Sequence, residues 1–135
     1  MKNTITVLVV DDEMMIRSLI ERILSRDGYC VLLAEDGNRA LDTLRTEKVD
    51  IVVSDMKMPG MDGFKLLQAI KREFPRIDVI MMTAYGDTYT VKDALLLGAD
   101  EYISKPFKTC EISLVVERAY WRILSKARQA LPQVE

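Results

Sequence analysis

The chain has 135 residues, 49% of them hydrophobic, which suffices for one globular domain with a sizeable core and leaves no room for a second full domain. Its 19 basic and 21 acidic residues nearly cancel, so no basic field draws it directly to nucleic acid or to a membrane surface. The longest apolar runs, such as Ile77 to Met82, fall far short of the ~18–20 residues of a membrane span, and the start MKNTITVLVVDDE has no signal-peptide cleavage pattern, so a cytoplasmic location is expected.

Short β-branched runs alternate with stretches of helical period, the pattern of a parallel sheet wrapped by crossover helices. The first strand, Ile5 to Val10, is apolar without alternation, as fits a strand covered on both faces. Asp11 and Asp12 end it. The first helix runs from about Met14 to Asp27 with Ile16, Leu19, Ile20, Ile23 and Leu24 on one stripe, and Gly28 stops it. Strand two is Cys30 to Ala34. The second helix, Asn38 to about Thr46, buries Ala40, Leu41 and Leu44, and the third strand, Asp50 to Ser54, delivers Asp55. Proline and glycine mark residues 58–63 as a loop, with the third helix resuming at Phe64 and closing before Pro75. Strand four, Ile77 to Met82, ends at Thr83. Helix four spans about Asp87 to Leu97, strand five is Glu101 to Ser104, and Lys105-Pro106 follows. The last helix starts near Lys108 and continues to about Arg128, longer than one docked helix requires, before Pro132 ends regular structure.

In an open parallel sheet, ligands bind beyond the carboxyl ends of the strands, near the switch in strand order. Asp11 and Asp12 follow strand one, Asp55 strand three, Thr83 strand four and Lys105 strand five, so the polar chemistry converges on one edge. Three carboxylates in one cleft repel one another unless a cation joins them. A small set of hard oxygen donors suits Mg²⁺, with Mn²⁺ as a substitute, and Mg²⁺ usually pairs with substrate phosphate. One carboxylate can then attack a phosphoryl group, with a lysine ammonium and a hydroxyl stabilising the transferred charge. Histidine is absent, which removes imidazole triads and zinc sites. Cys30 and Cys110 lack metal-ligand spacing and read as reduced, structural thiols.

This constellation resembles the receiver domain of two-component response regulators, over roughly residues 4–124, through VLVVDDE at 7–13, SDMKMPGMDG at 54–63, TAYGD at 83–87 and YISKPF at 102–107. The resemblance implies a flavodoxin-like, doubly wound α/β fold: a five-stranded parallel sheet of order 2-1-3-4-5 with five helices, the last extended, and residues 125–135 as helix extension and tail. It implies Asp55 as phosphoacceptor, with Asp12 and Asp55 ligating Mg²⁺ directly, Asp11 largely through water, and the backbone carbonyl of Lys57 completing the protein ligands. Thr83 and Lys105 would bind the phosphoryl group, Thr83 and Tyr102 would act as the switch, and the Lys105–Pro106 peptide would be cis. The donor would be a phosphohistidine on a sensor histidine kinase or phosphotransfer protein. A histidine-free chain needs that donor in trans. Met14 and Lys57 would tune hydrolysis of the acyl phosphate. TAYGD and EISLVVERA look most like receivers at the front of ATP-dependent enhancer-binding transcription activators.

Several features have bland readings. Met56, Met58 and Met61 read as core or loop packing, Gly63 and Gly98 as backbone geometry, and Arg118, Arg122, Lys126 and Arg128 as a solvated helix face. Helix four presents Tyr89, Lys92, Asp93 and Leu96 outward. Tyr120, Leu124 and Leu131 continue an apolar stripe past the reach of the sheet, which leaves open a homodimer through helices four and five or a linker into a missing output domain. A downstream effector is the other candidate recipient of the signal. From the enzyme class, the rival is an aspartate-nucleophile phosphohydrolase, but strand one ends in adjacent aspartates rather than D-x-D. A flavin-binding module of similar topology would need a hydroxyl- and glycine-rich loop there.

Overall fold

The computed structural model describes residues 4–84 and 91–130. Within them five parallel strands, β1 (Thr6–Val10), β2 (Cys30–Ala34), β3 (Ile51–Asp55), β4 (Asp78–Ala84) and β5 (Glu101–Lys105), form one sheet of order β2-β1-β3-β4-β5. They alternate with helices α1 (Met14–Arg26), α2 (Gly37–Thr46), α3 (Gly63–Glu73), α4 (Val91–Leu96) and α5 (Thr109–Ala130). The expected strand order is observed. Expected strand limits shift by one or two residues, most at β4, which continues through Thr83 and Ala84 because they pair with Ser104 and Lys105 of β5.

Side chains alternate across a strand, and here both parities are apolar. Leu8 and Val10, Val52, and Val79 and Met81 pack with α2 and α3 residues Leu41, Leu44, Leu66 and Ile70 on one face. Val7 and Val9, Ile51 and Val53, and Ile80 and Met82 pack with Ile20, Leu24, Ile112 and Val116 on the other. The central strands are therefore covered on both sides, as their unalternating hydrophobicity predicts. Met56 and Met58 are buried with the α2/α3 layer and Met61 packs against it, in line with the packing reading. Of the expected α1 stripe, Ile20, Ile23 and Leu24 are buried, whereas Leu19 is exposed.

Local signals set the helix ends. The Asp36 and Asp62 side chains accept the backbone N–H of Arg39 and Lys65, at 2.8 and 2.9 Å, capping α2 and α3. Beyond α1, Gly28 has φ 101°, and the N–H of Tyr29 returns to the carbonyl of Leu24, the left-handed stop that a glycine permits. The start expected for helix four, with Tyr89 in its outward row, lies outside the described residues, as do Tyr85 to Asp87 of the 83–87 motif, Leu131 and Pro132. Lys92 and Leu96 are exposed. No helix among the described residues is long and apolar enough to cross a membrane.

Three expectations need correction. Tyr120 is buried, not part of an uncovered stripe, because Tyr29 meets it edge-to-face with ring centroids 6.2 Å apart. Cys30 and Cys110 are free as expected, but both are exposed. The basic face of α5 is not simply solvated: Arg118, Arg122 and Lys126 recur every four residues, one helical row, and this row meets the acidic starts of β4 and β5. Arg122 bonds Asp78 at 2.8 Å and Glu101 at 2.9 Å, and Arg118 forks onto Glu101 at 2.9 and 3.0 Å. Burial works against the charge of Glu101, yet the bonds from Arg118 and Arg122 outweigh it and hold its carboxyl below the usual range. The Asp78 side chain is only 1% exposed and Lys126 reaches it at 3.8 Å. Removing a partner from a buried pair strands the remaining charge. Arg122→Met is therefore expected to cost about 2–3 kcal/mol, below the fully buried range because Arg122 is partly exposed, read as a lowered urea midpoint in circular dichroism.

Candidate functional site

The site follows from register. Val10 pairs with Ser54, so the next residues, Asp11 and Asp55, leave adjacent strands side by side. Asp55 pairs with Met82, one residue before Thr83, and Lys105 pairs with Ala84 on the next strand. Parity adds a second constraint: Asp11, Asp55 and Lys105 continue the series Val7/Val9, Ile51/Val53 and Ile103, which faces α1 and α5. Three chemically matched side chains thus emerge on one side of one sheet edge.

Carboxylate oxygens of Asp11, Asp12 and Asp55 lie within 4.8 Å of one another. The Lys105 ammonium stands 3.1 Å from Asp11 Oδ2 and 3.2 Å from Asp55 Oδ1. Asp11 is fully buried and Asp55 nearly so, while Asp12 is exposed. Burial pushes the Asp55 carboxyl up to about 6; the Lys105 charge opposes this, the Asp11 charge adds to it, and a backbone hydrogen bond from Lys57 favours the ionised form. For Lys105, burial disfavours the charge, but Asp55 and Asp11 prevail and its pKa is raised. Lysine here is a fixed cation.

One ammonium paired with two of three clustered carboxylates leaves the group short of positive charge, and all its donors are hard oxygens. That combination fits Mg²⁺ or Mn²⁺ and does not fit soft-ligand metals. Asp12 and Asp55 open onto a cleft of about 500 Å³ lined also by Glu13, Lys57, Met58, Pro59, Ala84 and Lys105, room for a phosphoryl group beside the acids.

The remaining expected residues are placed as follows. Thr83 is buried in β4 with the parity of Val79 and Met81, opposite to that of Asp55. Lys57 is exposed two residues beyond Asp55. Tyr102 stands 42% exposed on β5, opposite Met81. The peptide before Pro106 is cis. Met14 is 69% exposed just beyond the acidic pair.

Two site residues are absent from the sequence reading in their actual roles. Gly63 is expected to serve backbone geometry, yet it is not among the glycines with positive φ. What matters is space, because a Cβ there would lie 2.1 Å from the carbonyl oxygen of Asp55 and 2.8 Å from the Cα of Met56. Arg17, on α1, donates from Nη1 to the backbone carbonyl of Asp11 at 2.6 Å. Gly63 closes the 54–63 motif, but the motif does not show which main chain it packs against, and Arg17 has no motif because its acceptor is a main-chain carbonyl.

Residues 7–117 match the response regulator receiver domain family. The chain is 42% identical over 111 residues to the DNA-binding transcriptional regulator NtrC of Klebsiella pneumoniae, covering 82% of this chain and 24% of that protein. It is 39% identical over 112 residues to sporulation initiation phosphotransferase F of Bacillus subtilis, covering 83% of this chain and 90% of that one. Among solved structures, NtrX from Brucella abortus in complex with ADP superposes with a TM-score of 0.86 at 35% identity, over 96% of this chain and 30% of that chain. Chemotaxis response regulator CheY4 of Vibrio cholerae gives 0.79 at 28% identity, over 85% of this chain and 98% of that one. The chain spans about a quarter of the length of its NtrC relatives.

Proposed function

The chain belongs to the response regulator receiver domain family, and we propose that Asp55 is the residue on which it accepts the phosphoryl group. The domain is a phosphoryl-accepting signalling switch of the two-component type. The observation that carries the assignment to Asp55 is the convergence of three carboxylates within 4.8 Å with an ammonium 3.2 Å from Asp55. Of the three, Asp11 is fully buried and already bonded to Lys105 and to the N–H of Glu13, and Asp12 is exposed. Asp55 alone combines burial, a lysine partner and an opening onto the cleft.

Asp12 and Asp55 would hold Mg²⁺ with the carbonyl of Lys57, and Asp11 would contribute through water. Bound there, the ion neutralises the carboxylates and the charge gathering on the phosphoryl oxygens. The Asp55 oxygen attacks phosphorus, the P–N bond of the donor phosphohistidine breaks, and the imidazole leaves with the bonding pair. Lys105 pairs with the transferred phosphoryl oxygens, and the Thr83 hydroxyl donates to one of them once it moves inward. Because this chain lacks histidine, the donor is a sensor kinase or phosphotransfer protein.

The receiver proper covers residues 1–124, with 125–135 as extension. Its output runs through Thr83 and Tyr102 to the face of α4, β5 and α5, where Leu96, Tyr102 and Trp121 are exposed. Phosphorylation redistributes an equilibrium between shapes at that face, controlling an effector, an output domain such as the greater length of the NtrC relatives would supply, or a second copy. We place the protein in the cytoplasm and assign it no direct contact with nucleic acid and no turnover of external substrate. Incubation with a small phosphodonor and Mg²⁺ is expected to add one phosphoryl group by intact mass, and a chelator to suppress labelling at least ~100-fold. Multiple-turnover hydrolysis of a phosphomonoester would favour the phosphohydrolase instead.

A further inference from the structure

We propose that Arg17 is a positioning residue for the acidic cluster, acting through the backbone of Asp11; this rests on the metal-assisted reading given above. Each polar position of Asp11 is bonded. Its N–H donates to the Ala34 carbonyl at 3.2 Å, Oδ1 accepts the N–H of Glu13 at 2.9 Å, Oδ2 accepts Lys105 at 3.1 Å, and its carbonyl accepts Arg17 Nη1 at 2.6 Å. The last is the unusual one, a guanidinium spent on a neutral main-chain oxygen. Such charge-assisted bonds are short and strong.

The same loop is held from its other side by the first helical bond of α1, in which the backbone N–H of Arg17 donates to the Glu13 carbonyl at 3.0 Å. The two bonds bracket Asp12, which is exposed and takes its position from its neighbours. Without the guanidinium, the Asp11 carbonyl loses its partner and the peptide leading to Asp12 keeps only the bonds on either side of it, so the Asp12 carboxylate is less firmly placed. Mg²⁺ demands near-ideal ligand placement, so a freed loop binds it less well. Electrostatics alone predicts the opposite sign, because removing a cation beside a carboxylate cluster should tighten metal binding. The sign of the change therefore separates positioning from field.

The test uses Arg17→Met, which keeps the aliphatic stem and removes the donors, and Arg17→Lys, which keeps one charged donor group. Mg²⁺ affinity of the unphosphorylated protein is measured by titration calorimetry and Mn²⁺ affinity by electron paramagnetic resonance, with thermal melts alongside. We expect affinity to fall about 10-fold in Arg17→Met, within the range for groups that orient metal ligands, and to recover in part in Arg17→Lys. The Mg²⁺ concentration for half-maximal labelling should rise in step, while the rate at saturating Mg²⁺ changes little. Binding by Arg17→Met as tight as the parent or tighter overturns the proposal, as does a lowered melting point with unchanged metal affinity. Arg17→Lys carries the same comparison if Arg17→Met fails to fold. A parent that binds no Mg²⁺ overturns the metal-assisted reading itself, and this inference with it.

Discussion

Asp55→Asn is expected to reduce phosphoryl labelling below about one-thousandth of the parent rate. The amide keeps the shape and volume of the carboxyl but has no anionic oxygen to attack phosphorus. It also removes one of the three acids that would hold the cation. The loss should come without unfolding, and pH supplies the check. Burial holds the Asp55 carboxyl at about 6, above its ordinary value, so the folded state retains the proton more strongly than the unfolded chain. The stability tied to this group is complete at low pH and is lost as pH rises through 6. The asparagine has no such loss. In chelator-containing buffer its urea midpoint should equal or exceed that of the parent at pH 8, and the difference should shrink as pH falls below 6. Full labelling of the variant would refute the assignment, and a collapse in its midpoint would mean the labelling loss is structural.

The second large effect belongs to Gly63, where the methyl group of an alanine would meet the main chain of Asp55 and Met56. Its three nearest atoms would be the Asp55 oxygen at 2.1 Å, the Met56 Cα at 2.8 Å and the Asp55 carbonyl carbon at 3.0 Å, none of which can turn aside as a flexible side chain could. The same glycine donates its N–H to the Met56 carbonyl at 2.9 Å, so α3 cannot retreat without breaking that bond. Gly63→Ala should therefore cost about 3 kcal/mol, the upper end for overpacking, and should slow labelling about 100-fold by displacing the acceptor. Gly60 is the control. It has φ +74° with nothing within 4 Å of a added Cβ, so Gly60→Ala should cost only ~1 kcal/mol of backbone strain. Urea midpoints in the reverse order would defeat the close-packing account.

What could be read from the chain and what could not divide along a physical line. The convergence of Asp11, Asp12, Asp55 and Lys105 was legible because each acid or base follows a strand-like run, and a parallel sheet carries all strand ends to one edge, whereas the strand order followed only from the resemblance to the receiver family. The burial of Met56 and Met58 was legible from their setting. By contrast, the row Arg118, Arg122 and Lys126 has the spacing of an ordinary solvated face, and its partners Asp78 and Glu101 are distant in sequence. Tyr120 was misread for the same reason, since the ring that covers it belongs to Tyr29. Arg17 carries no motif because its acceptor is main chain, which every residue has. Hydrophobic period reveals which side of an element is covered, but not which distant group covers it.

An open sheet has two outer strands that no ladder joins, here β2 and β5. Asp11 makes one bond to each side, donating its N–H to the carbonyl of Ala34 at the end of β2 and accepting from Lys105 at the end of β5. A single buried residue thus ties together the carboxyl ends of the two border strands, which the sheet's own ladder leaves four positions apart.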